Sequence, residues 1–473
     1  MTIFIQNTLS KKKEEFIPMT PKEVRMYTCG VTVYDDCHVG HARSLFIFDC
    51  LKKYMEYRGF KVKLVRNITD VDDKIINRAR QDGVSFEYTR ERYIKNYYRD
   101  LAALEIDKAD FEPLATENVH YMVDHIKQLI EKGNAYDVDG DVYFSVRSFS
   151  DYGRLSGQAM DEMLTAVRIE KDDKKKDPLD FALWKKSGEG EPSWKSPWGI
   201  GRPGWHIECS TMSMRFLRTQ TMDIHAGGRD LIFPHHENEI AQAEALTGKK
   251  FAKYWIHHGL LTIDGKKMSK SLGNFVTIQA ILKKYEPNVL KLFFLTAHYG
   301  SPMDFTYCGL DQTKKAYEKI EEFLYKIAVL KNDTAAVAQK EADALRQKFE
   351  SAMDDDFNTA KALAVIFELL ALGNKYLLGS DTNAAAVYTS EVLTELARVL
   401  GLRLKTFDNA KDISSAVRIK FIDPSAAGLD VSDIENLLEE RRKARCEKDF
   451  KKADEIRDLL KRRGIKVEDK EKS

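Results

Sequence analysis

Two histidines three residues apart, His38 and His41, enclose Gly40 and precede a run of residues with helical apolar spacing. The start of a helix presents free N–H groups and a positive dipole end, so a polyphosphate can bind there without many basic side chains. Gly40 would let a nucleotide approach the backbone, and the two imidazoles could donate hydrogen bonds to phosphate oxygens in a transition state. The alternative is that both histidines only cap or pack the helix.

A second segment with phosphate-binding chemistry is Lys267-Met268-Ser269-Lys270-Ser271, which follows a strand-like run at 259–263 and a turn signal at 264–265. Two lysines with two serines supply mobile positive charge and small hydroxyls, which suit a clamp on a leaving pyrophosphate. A solvated surface loop is the alternative for this composition. The chain contains no GxxxxGK[ST] and no GxGxxG pattern, so neither a P-loop nor a dinucleotide-binding fingerprint is supported.

Four dispersed residues could form a metal site. His235 and Glu239 are four residues apart and therefore lie on one face of a helix, which Pro234 would suit as its first residue. An HExxH protease motif would need a second histidine at position 240, where the chain has isoleucine. Cys29, at a strand end, and Cys209 are free to join the pair. Two thiolates, an imidazole and a carboxylate are a reasonable zinc ligand set, but their spacing leaves satisfied core residues as an open alternative.

The elements that would position these residues begin with one βαβ unit. Val24–Thr28 is predicted to be a strand, Ala42–Tyr57 a helix that Gly59 ends, and Lys61–Ile68 the next strand. A strand, a helix and a second strand in this order are typical of a parallel sheet. The fold class expected is therefore α/β, with a Rossmann-like parallel-sheet catalytic domain.

Further along the chain the pattern changes twice. Short strand-like pieces interrupt the α/β alternation from about 119 to 199, which indicates an insertion, and a return to the sheet is expected at Gly201–Trp205. From about 311 the chain is predicted to be helical, with one apolar stripe starting at Leu363 and a helix cap at Asp356 or Asn358. The predicted domains are 1–118 and 200–258 for the two halves of the catalytic domain, 119–199 for the insertion, 259–310 for the lysine-rich loop region, 311–406 for a helical bundle, and 407–473 for a small basic domain.

Composition limits the class of protein and its location. The 473 residues carry a net charge of +1, which argues against a wholesale basic nucleic-acid binder, although 439–466 holds twelve basic and seven acidic residues. No apolar run approaches the roughly 18 residues that span a bilayer, and no signal peptide is evident. Six scattered cysteines do not suggest a disulfide framework. We expect reduced thiols in a cytoplasmic protein with no membrane contact.

In this order and at this distance, the segments at 38–41 and 267–271 resemble the HIGH and KMSKS signatures of class I aminoacyl-tRNA synthetases, with valine where isoleucine is usual. The resemblance becomes more specific in longer segments, which are similar to the cysteinyl-tRNA synthetase family over about residues 20 to 467. These segments lie at 27–35, 66–74, 201–210, 233–239, 354–359 and 453–457.

The resemblance implies an enzyme that activates cysteine with ATP and Mg²⁺ and transfers it to tRNA(Cys). We expect a monomer. It implies that the bundle at 311–406 binds the anticodon and that 407–473 also contacts tRNA. It implies one zinc ion per chain that binds the substrate thiol. The residues it assigns are Cys29, Cys209, His235 and Glu239 to zinc; His38, Gly40, His41, Lys267, Ser269 and Lys270 to ATP, with His38, His41, Lys267 and Lys270 catalytic; and Gly30, Thr69, Trp205, His225 and Asp230 to cysteine.

Elementary chemistry supports a metal in such an enzyme. Serine is nearly isosteric with cysteine, and a pocket of ordinary side chains separates such pairs by only about a hundredfold. Zinc favours sulfur over an alcohol oxygen and lowers the pKa of a thiol. Two alternatives remain from the sequence. One is a paralogous ligase that joins cysteine to an amino sugar, and the other is a non-catalytic tRNA-binding or zinc-storage protein.

Overall fold

The computed structural model of the chain describes residues 2–158, 160, 174–268, 273–328, 330, 339–379, 382–405, 437, 440–441 and 449–462. The chain divides into two compact units. The first comprises Met1–Glu321 and Asp333–Leu404, and the second comprises Glu322–Asn332 and Lys405–Ser473.

The strands in chain order are β1 Phe4–Asn7, β2 Lys12–Glu15, β3 Glu23–Thr28, β4 Lys61–Arg66, β5 Ala135–Val138, β6 Asp141–Phe144, β7 Phe181–Lys186, β8 Trp194–Ser196, β9 Gly199–Pro203, β10 Met222–Gly228, β11 Ala252–His258, β12 Leu261–Ile263, β13 Lys266–Lys267 and β14 Met303–Phe305. The α-helices are α1 Val39–Tyr57, α2 Asp73–Asp82, α3 Phe86–Ala103, α4 Val119–Glu131, α5 Trp205–Leu217, α6 Glu237–Thr247, α7 Ile278–Leu282, α8 Pro287–Leu295, α9 Tyr307–Ala328, α10 Gln339–Asp354, α11 Thr359–Tyr376, α12 Asn383–Val399 and α13 Phe450–Arg462.

A four-stranded sheet in the order β11-β10-β3-β4 forms the centre of the first unit. All three neighbouring pairs are parallel, and Met26 of β3 lies between Ile224 and Leu64. Parallel bridges from Phe111 and Leu114 extend this pairing beyond β4. Every residue of β10 is buried, as in a strand covered on both faces. The predicted Rossmann-like parallel sheet is confirmed.

Helix α1 connects β3 to β4 and completes the predicted βαβ unit. Its N-cap is His38, and Gly59 follows its end with a φ of 86°, a left-handed conformation that suits glycine. The buried face includes Leu45, Phe48 and Leu51. Because α1 is the helix that follows β3, its N-terminus opens at the carboxyl edge of the sheet, where α/β proteins bind ligands.

The insertion has an antiparallel sheet of its own, in the order β5-β6-β7-β9-β8. The prediction that Gly201–Trp205 returns to the parallel sheet is wrong. Gly201 pairs with Lys186 and Pro203 pairs with Trp184, so β9 belongs to the antiparallel sheet. The chain rejoins the parallel sheet only at β10, after α5.

The lysine-rich segment at 267–271 begins at the end of a short hairpin. Strands β12 and β13 are antiparallel, and the predicted turn between them has left-handed backbone at Asp264 (φ 48°) and Gly265 (φ 72°). Strand β14 pairs with β12 in parallel. Lys267 ends β13, whereas Ser269 and Lys270 lie outside the described residues.

Helices α10, α11 and α12 pack together as a bundle within the first unit. Asn358 caps α11 by accepting the Lys361 N–H at 3.1 Å, which confirms one of the two predicted caps. Arg58 of α1 forms ion pairs with Glu350 (2.7 Å) and Asp354 (2.9 Å) of α10. The predicted apolar stripe of α11 is buried and consists of Leu363, Ile366, Leu369 and Leu370.

Within the part of the chain that the structure describes, no helix combines the length and the apolar character that a bilayer crossing requires.

Candidate active site

Four side chains from separate elements converge at the carboxyl edge of the parallel sheet. Cys29 follows β3, Cys209 lies on α5, and Glu239 lies on α6. The Cys29 Sγ atom is 3.9 Å from Cys209 Sγ and 3.5 Å from Glu239 Oε1. His235 Nε2 is 3.1 Å from the same carboxylate oxygen. One ligand atom from each residue lies within 4.8 Å of every other, so the tertiary structure assembles the dispersed set.

The local backbone differs from the expectation. The α-helix starts at Glu237, and Pro234 lies in a π-helical turn at Ile232–His236 that precedes it. His235 and Glu239 still face each other across the first turn, so the ligand pairing survives the change in helix start.

The donor set fits a metal ion. In a tetrahedral zinc site with bonds of about 2.0 to 2.3 Å, neighbouring ligand atoms would lie roughly 3.3 to 3.8 Å apart. The buried Nε2 atom of His235 has no hydrogen-bond partner among the described residues, although Glu239 is close. An imidazole nitrogen without a partner, aimed at two thiols and a carboxylate, is the arrangement that a cation would complete.

The electrostatics of the cluster agree with this fit. Burial raises the pKa of the Cys29 thiol well above its usual range, and burial also raises the pKa of Cys209. Burial lowers the pKa of His235 well below its usual range, which keeps the ring neutral and able to coordinate. Without a nearby cation both thiols stay protonated at neutral pH, so thiolate ligands require the charge of a metal.

A second layer of histidines surrounds the cluster. His206 Nδ1 lies 2.8 Å from His235 Nδ1, and His236 Nε2 lies 3.2 Å from Cys29 Sγ. His236 Nδ1 is in turn 2.8 Å from His257 Nε2. The sequence analysis did not single out these three histidines. Adjacency to assigned residues could have signalled two of them, since His236 follows His235 and His206 follows Trp205, whereas His257 has no such neighbour.

The predicted cysteine-binding residues have mixed placements. Trp205 stacks on His235 with ring centroids 4.0 Å apart, so it forms a wall beside the cluster. Thr69 donates to Glu208 Oε2 at 2.7 Å and is fully buried. His225 Nε2 lies 2.8 Å from the second oxygen of Glu239.

Gly30 and Asp230 lie at the rim. The Gly30 N–H donates to Asn67 Oδ1 at 2.8 Å, and a Cβ added to Gly30 would overlap the Asn67 carbonyl. Asp230 is exposed, beside Gly228 at the end of β10. Cys29, Gly228 and His258 mark the carboxyl ends of β3, β10 and β11, so the sheet brings these rim residues to one edge.

His38 and His41 do cap α1, as the alternative interpretation held. The His41 N–H donates to His38 Nδ1 at 3.2 Å, and the His38 N–H donates to His41 Nδ1 at 3.4 Å. Burial lowers the pKa of His38 to about 4 and that of His41 well below its usual range. Because each Nδ1 accepts a hydrogen bond, the proton of each neutral ring is assigned to Nε2. Capping therefore orients two N–H donors and does not compete with phosphate binding.

The two segments predicted to bind phosphate are neighbours in the fold. His38 and Thr277 form an antiparallel bridge, and the Val39 N–H donates to the Val276 carbonyl at 3.0 Å. A Cβ added to Gly40 would lie 3.6 Å from the end of the Met268 side chain. The chain on both sides of the 269–272 loop therefore lies against the N-terminus of α1.

Arg43 supports this arrangement from inside the protein. Its fully buried guanidinium donates to the carbonyls of Gly259 (2.8 Å), Leu260 (3.0 Å), Tyr299 (3.3 Å) and Ser301 (2.7 Å). These carbonyls belong to the segments that lead into β12 and β14. One side chain of α1 therefore fixes the base of the hairpin that carries Lys267.

Comparison with known proteins identifies the family. Residues 15–315 match the family described as tRNA synthetases class I (C) catalytic domain, residues 348–405 match the DALR domain, and residues 431–473 match the cysteinyl-tRNA ligase anticodon binding domain. The cysteine–tRNA ligase of Persephonella marina is 47% identical over 479 residues, which cover 99% of this chain and 98% of the relative. The chain belongs to the cysteine–tRNA ligase family.

Other relatives agree. The cysteine–tRNA ligase of Geobacter sulfurreducens is 48% identical over 98% of this chain and 97% of the relative. Among solved structures, Mycobacterium tuberculosis methionyl-tRNA synthetase in complex with methionyl-adenylate is 17% identical with a TM-score of 0.61, covering 80% of this chain and 90% of that chain. At this identity the likeness concerns the fold alone, and it is the fold of a class I synthetase. The family is thus the one that the sequence motifs resembled.

Proposed function

We propose that this member of the cysteine–tRNA ligase family activates cysteine with ATP and transfers it to the terminal adenosine of tRNA(Cys), with one zinc ion selecting the substrate thiol. The observation that carries the proposal is the convergence of Cys29, Cys209, His235 and Glu239 within 4.8 Å beside the start of α1. The curated relatives named cysteine–tRNA ligase and the terminal match to an anticodon binding domain support the reaction.

Zinc would be held by those four side chains. When bound, it would supply a Lewis acid that binds the thiolate of cysteine more tightly than the hydroxyl of serine. Trp205 stacks on His235 and limits the rotation of that ring. The His206 ring forms a hydrogen bond with Nδ1 of His235, which fixes the orientation of His235 as a metal ligand. The protein would thus present a rigid, buried site that distinguishes cysteine from serine by the type of ligand atom and not by the size of the side chain.

His38 and His41 would act on ATP. Their Nε2–H groups are available because the Nδ1 atoms are engaged in capping. They would donate to phosphate oxygens as the cysteine carboxylate attacks the α-phosphate and pyrophosphate leaves. Lys267, Ser269 and Lys270 would contact the departing pyrophosphate, and magnesium would accompany ATP. The reaction needs no side-chain nucleophile, so acceleration would come from positioning and from charge stabilisation.

The C-terminal part of the chain would bind tRNA. The bundle at 311–406 and the basic domain at 407–473 are proposed to contact the anticodon arm. The match of 431–473 to an anticodon binding domain favours a tRNA acceptor over an amino-sugar acceptor, which has no anticodon to read. The pairing of the two predicted phosphate segments around α1 likewise favours catalysis over zinc storage. A monomer in the cytoplasm remains the expectation from sequence.

Cysteine-dependent exchange of pyrophosphate into ATP, measured with and without tRNA, tests the proposal. We expect exchange with cysteine alone, no exchange with serine, and charging of tRNA(Cys) when tRNA is added. Exchange that is independent of cysteine would refute the amino-acid assignment. Transfer of cysteine to an amino sugar in place of tRNA would establish the alternative ligase.

A further inference from the structure

Three buried polar side chains form one hydrogen-bonded chain beside the thiol site. The Asn67 Nδ2 group donates to Thr69 Oγ1 at 3.1 Å, and the Thr69 hydroxyl donates to Glu208 Oε2 at 2.7 Å. Asn67 Oδ1 also lies 3.7 Å from Cys209 Sγ, so this chain of bonds adjoins the proposed metal ligands. Neither Asn67 nor Glu208 is among the residues assigned to zinc, ATP or cysteine.

A backbone N–H sets the direction of every bond in this chain. The Gly30 N–H can only donate, and it donates to Asn67 at 2.8 Å, so the atom that receives it is the amide oxygen. The amide nitrogen of Asn67 then faces Thr69 and donates to it. Because the Thr69 oxygen accepts that bond, its own proton is directed at Glu208, the other partner of the hydroxyl.

The backbone holds Thr69 at the carboxyl edge of the parallel sheet. Thr69 and Thr32 form a parallel bridge just beyond β3 and β4. The Thr69 N–H donates to the Val31 carbonyl and the Val33 N–H donates to the Thr69 carbonyl, both at 3.1 Å. With both main-chain polar groups of Thr69 engaged, only its hydroxyl is left to interact with a ligand.

The direction of these bonds decides which group of a substrate Thr69 can bind. A hydroxyl offers one donor and two acceptor lone pairs. The proton of Thr69 is committed to Glu208 and one lone pair to Asn67, so what remains is an acceptor. The ammonium group of cysteine is a donor, whereas its carboxylate is only an acceptor. Thr69 therefore suits the ammonium group, which is on the carbon next to the one that carries the thiol.

Glu208 is a costly side chain to bury for packing alone. It is fully buried, and its Oε1 atom has no hydrogen-bond partner among the described residues. A buried polar atom without a partner lowers the stability of the folded state. Glu208 lies on α5 next to Cys209, so one helix carries both a proposed metal ligand and the acceptor of the Thr69 proton. A role in orienting that hydroxyl accounts for a carboxyl group at this position.

We infer that Glu208 is a positioning residue that holds the Thr69 hydroxyl as an acceptor for the α-ammonium group of the substrate cysteine. The inference rests on the proposed function and adds to it a residue that acts without touching the substrate. Without the Glu208 acceptor, the Thr69 proton would be free to turn toward the substrate, where it would oppose the ammonium protons. Recognition of cysteine then has two separate parts, because the metal binds the thiol and Thr69 binds the ammonium group.

The test compares Glu208→Met with Glu208→Gln in the full, zinc-loaded chain. Methionine removes both carboxyl oxygens at similar length, whereas glutamine keeps an oxygen that can accept the Thr69 proton. Glu208→Leu is a second apolar variant that should behave as Glu208→Met does. Gln242→Met is the matched control, because Gln242 is also fully buried, accepts a hydroxyl proton from Ser210 at 2.6 Å, and has a side-chain nitrogen without a partner among the described residues.

Three thiols separate recognition of the ammonium group from general stability. Cysteine carries both an ammonium and a carboxylate group, cysteamine carries only the ammonium, and 3-mercaptopropionate carries only the carboxylate. Calorimetry gives the dissociation constant of each thiol. Metal analysis gives the zinc content, and pyrophosphate exchange gives the KM for ATP.

We expect Glu208→Met to weaken binding of cysteine and of cysteamine by about ten- to a hundredfold, the usual worth of a hydrogen bond to a charged group. Binding of 3-mercaptopropionate, the KM for ATP and the zinc content should be unchanged. Glu208→Gln and Gln242→Met should resemble the unaltered chain. Equal weakening of all three thiols by Glu208→Met would mean that Glu208 only supports the fold, and unchanged binding of cysteamine would mean that it has no role in recognition. Either result overturns the inference.

Thr69→Val tests whether Glu208 acts through Thr69. In that background Glu208→Met should have no further effect on the binding of cysteine or cysteamine, because the hydroxyl that Glu208 orients is absent. A full additional effect would show that Glu208 acts on the ligand directly and would overturn the inference. If the unaltered chain shows no cysteine-dependent exchange, the proposed function itself falls, and the inference with it. Normal exchange together with equal weakening of the three thiols removes the inference alone.

Discussion

His38 and Thr277 form an antiparallel backbone bridge, so the residue that caps α1 is paired with the segment that leaves the lysine-rich loop. Residues far apart in the chain thereby meet at the one edge that is proposed to bind phosphate. The bridge ties the segment at 276–277 to the N-terminus of α1. A substitution in either segment should therefore affect the reaction of ATP. The same substitution should leave cysteine binding unchanged, because the thiol site is built on other elements.

Lys270→Ala should therefore slow adenylate formation without weakening cysteine binding. Loss of one charge that stabilises the leaving pyrophosphate is expected to reduce the rate on the order of 10² to 10³. Pyrophosphate exchange gives the rate, and its dependence on cysteine concentration gives the KM. Lys266→Ala is the control, since Lys266 is an exposed lysine of β13 outside the assigned set. Unaltered exchange in Lys270→Ala would identify the loop as a solvated surface segment.

Arg43→Lys should disturb the phosphate site while leaving the thiol site intact. An ammonium has three donors and cannot reach all four carbonyls that the guanidinium binds, so the base of the β12–β13 hairpin loses support. We expect a reduced kcat for exchange and a raised KM for ATP, with the KM for cysteine unchanged. Equal changes in both KM values, or none in either, would show that Arg43 serves general stability only.

Cys209→Ser should lower zinc content well below one ion per chain and relax the preference for cysteine over serine. Hydroxyl oxygen is a poorer zinc ligand than thiolate, and one of four donors would be lost. Metal analysis and exchange with each amino acid provide the measurements. Cys50→Ser is the matched control, because Cys50 is a buried thiol outside the cluster. Full zinc content and unchanged selectivity in Cys209→Ser would refute the ligand assignment.

His125 should make stability depend on pH. Burial lowers the pKa of His125 to about 4, and its ring lies 2.9 Å from Thr211 Oγ1. The unfolded chain binds a proton near pH 6.5, whereas the folded chain does not until about pH 4. The favourable contribution is therefore complete above pH 6.5 and is lost as the pH falls toward 4. At pH 5 this one residue should reduce the free energy of unfolding by about 2 kcal/mol.

Urea denaturation at pH 7 and pH 5 checks this value. His125→Gln removes the titrating group, so the loss of stability between the two pH values should be smaller by about 2 kcal/mol than in the unaltered chain. An identical loss in both proteins would contradict the prediction and would assign the pH dependence to other groups.

Truncation after Thr406 should separate amino-acid activation from tRNA charging. The cut lies beside the boundary at Leu404 that ends the first compact unit. Cysteine-dependent exchange should remain largely intact, whereas charging of tRNA(Cys) should fall sharply because phosphate and base contacts are removed. Full charging by the truncated chain would mean that 407–473 only supports the bundle. Loss of both activities, with the circular dichroism of the remaining fold preserved, would mean that the two ends are coupled.

The sequence by itself determined the local elements and the chemistry of the motifs. Apolar spacing and Gly59 predicted the strand, helix and strand around α1, because these signals depend on residues close together in the chain. Residue types at 38–41 and 267–271 indicated phosphate binding. The ligand residues Cys29, Cys209, His235 and Glu239 came from a family resemblance, because spacing alone favoured satisfied core residues over a metal site.

Only the tertiary structure decided which sheet each short strand joins and which side chains meet. The 201–203 segment pairs with β7 and not with the parallel sheet, because strand pairing is a non-local choice that period-two spacing does not encode. The π-helical turn at Ile232–His236 places the start of α6 at Glu237 without separating His235 from Glu239. The contacts of His257 with His236 and Thr8 join β11 to two distant segments. Such contacts arise when the carboxyl ends of parallel strands are brought to one edge, and no local pattern in the chain specifies them.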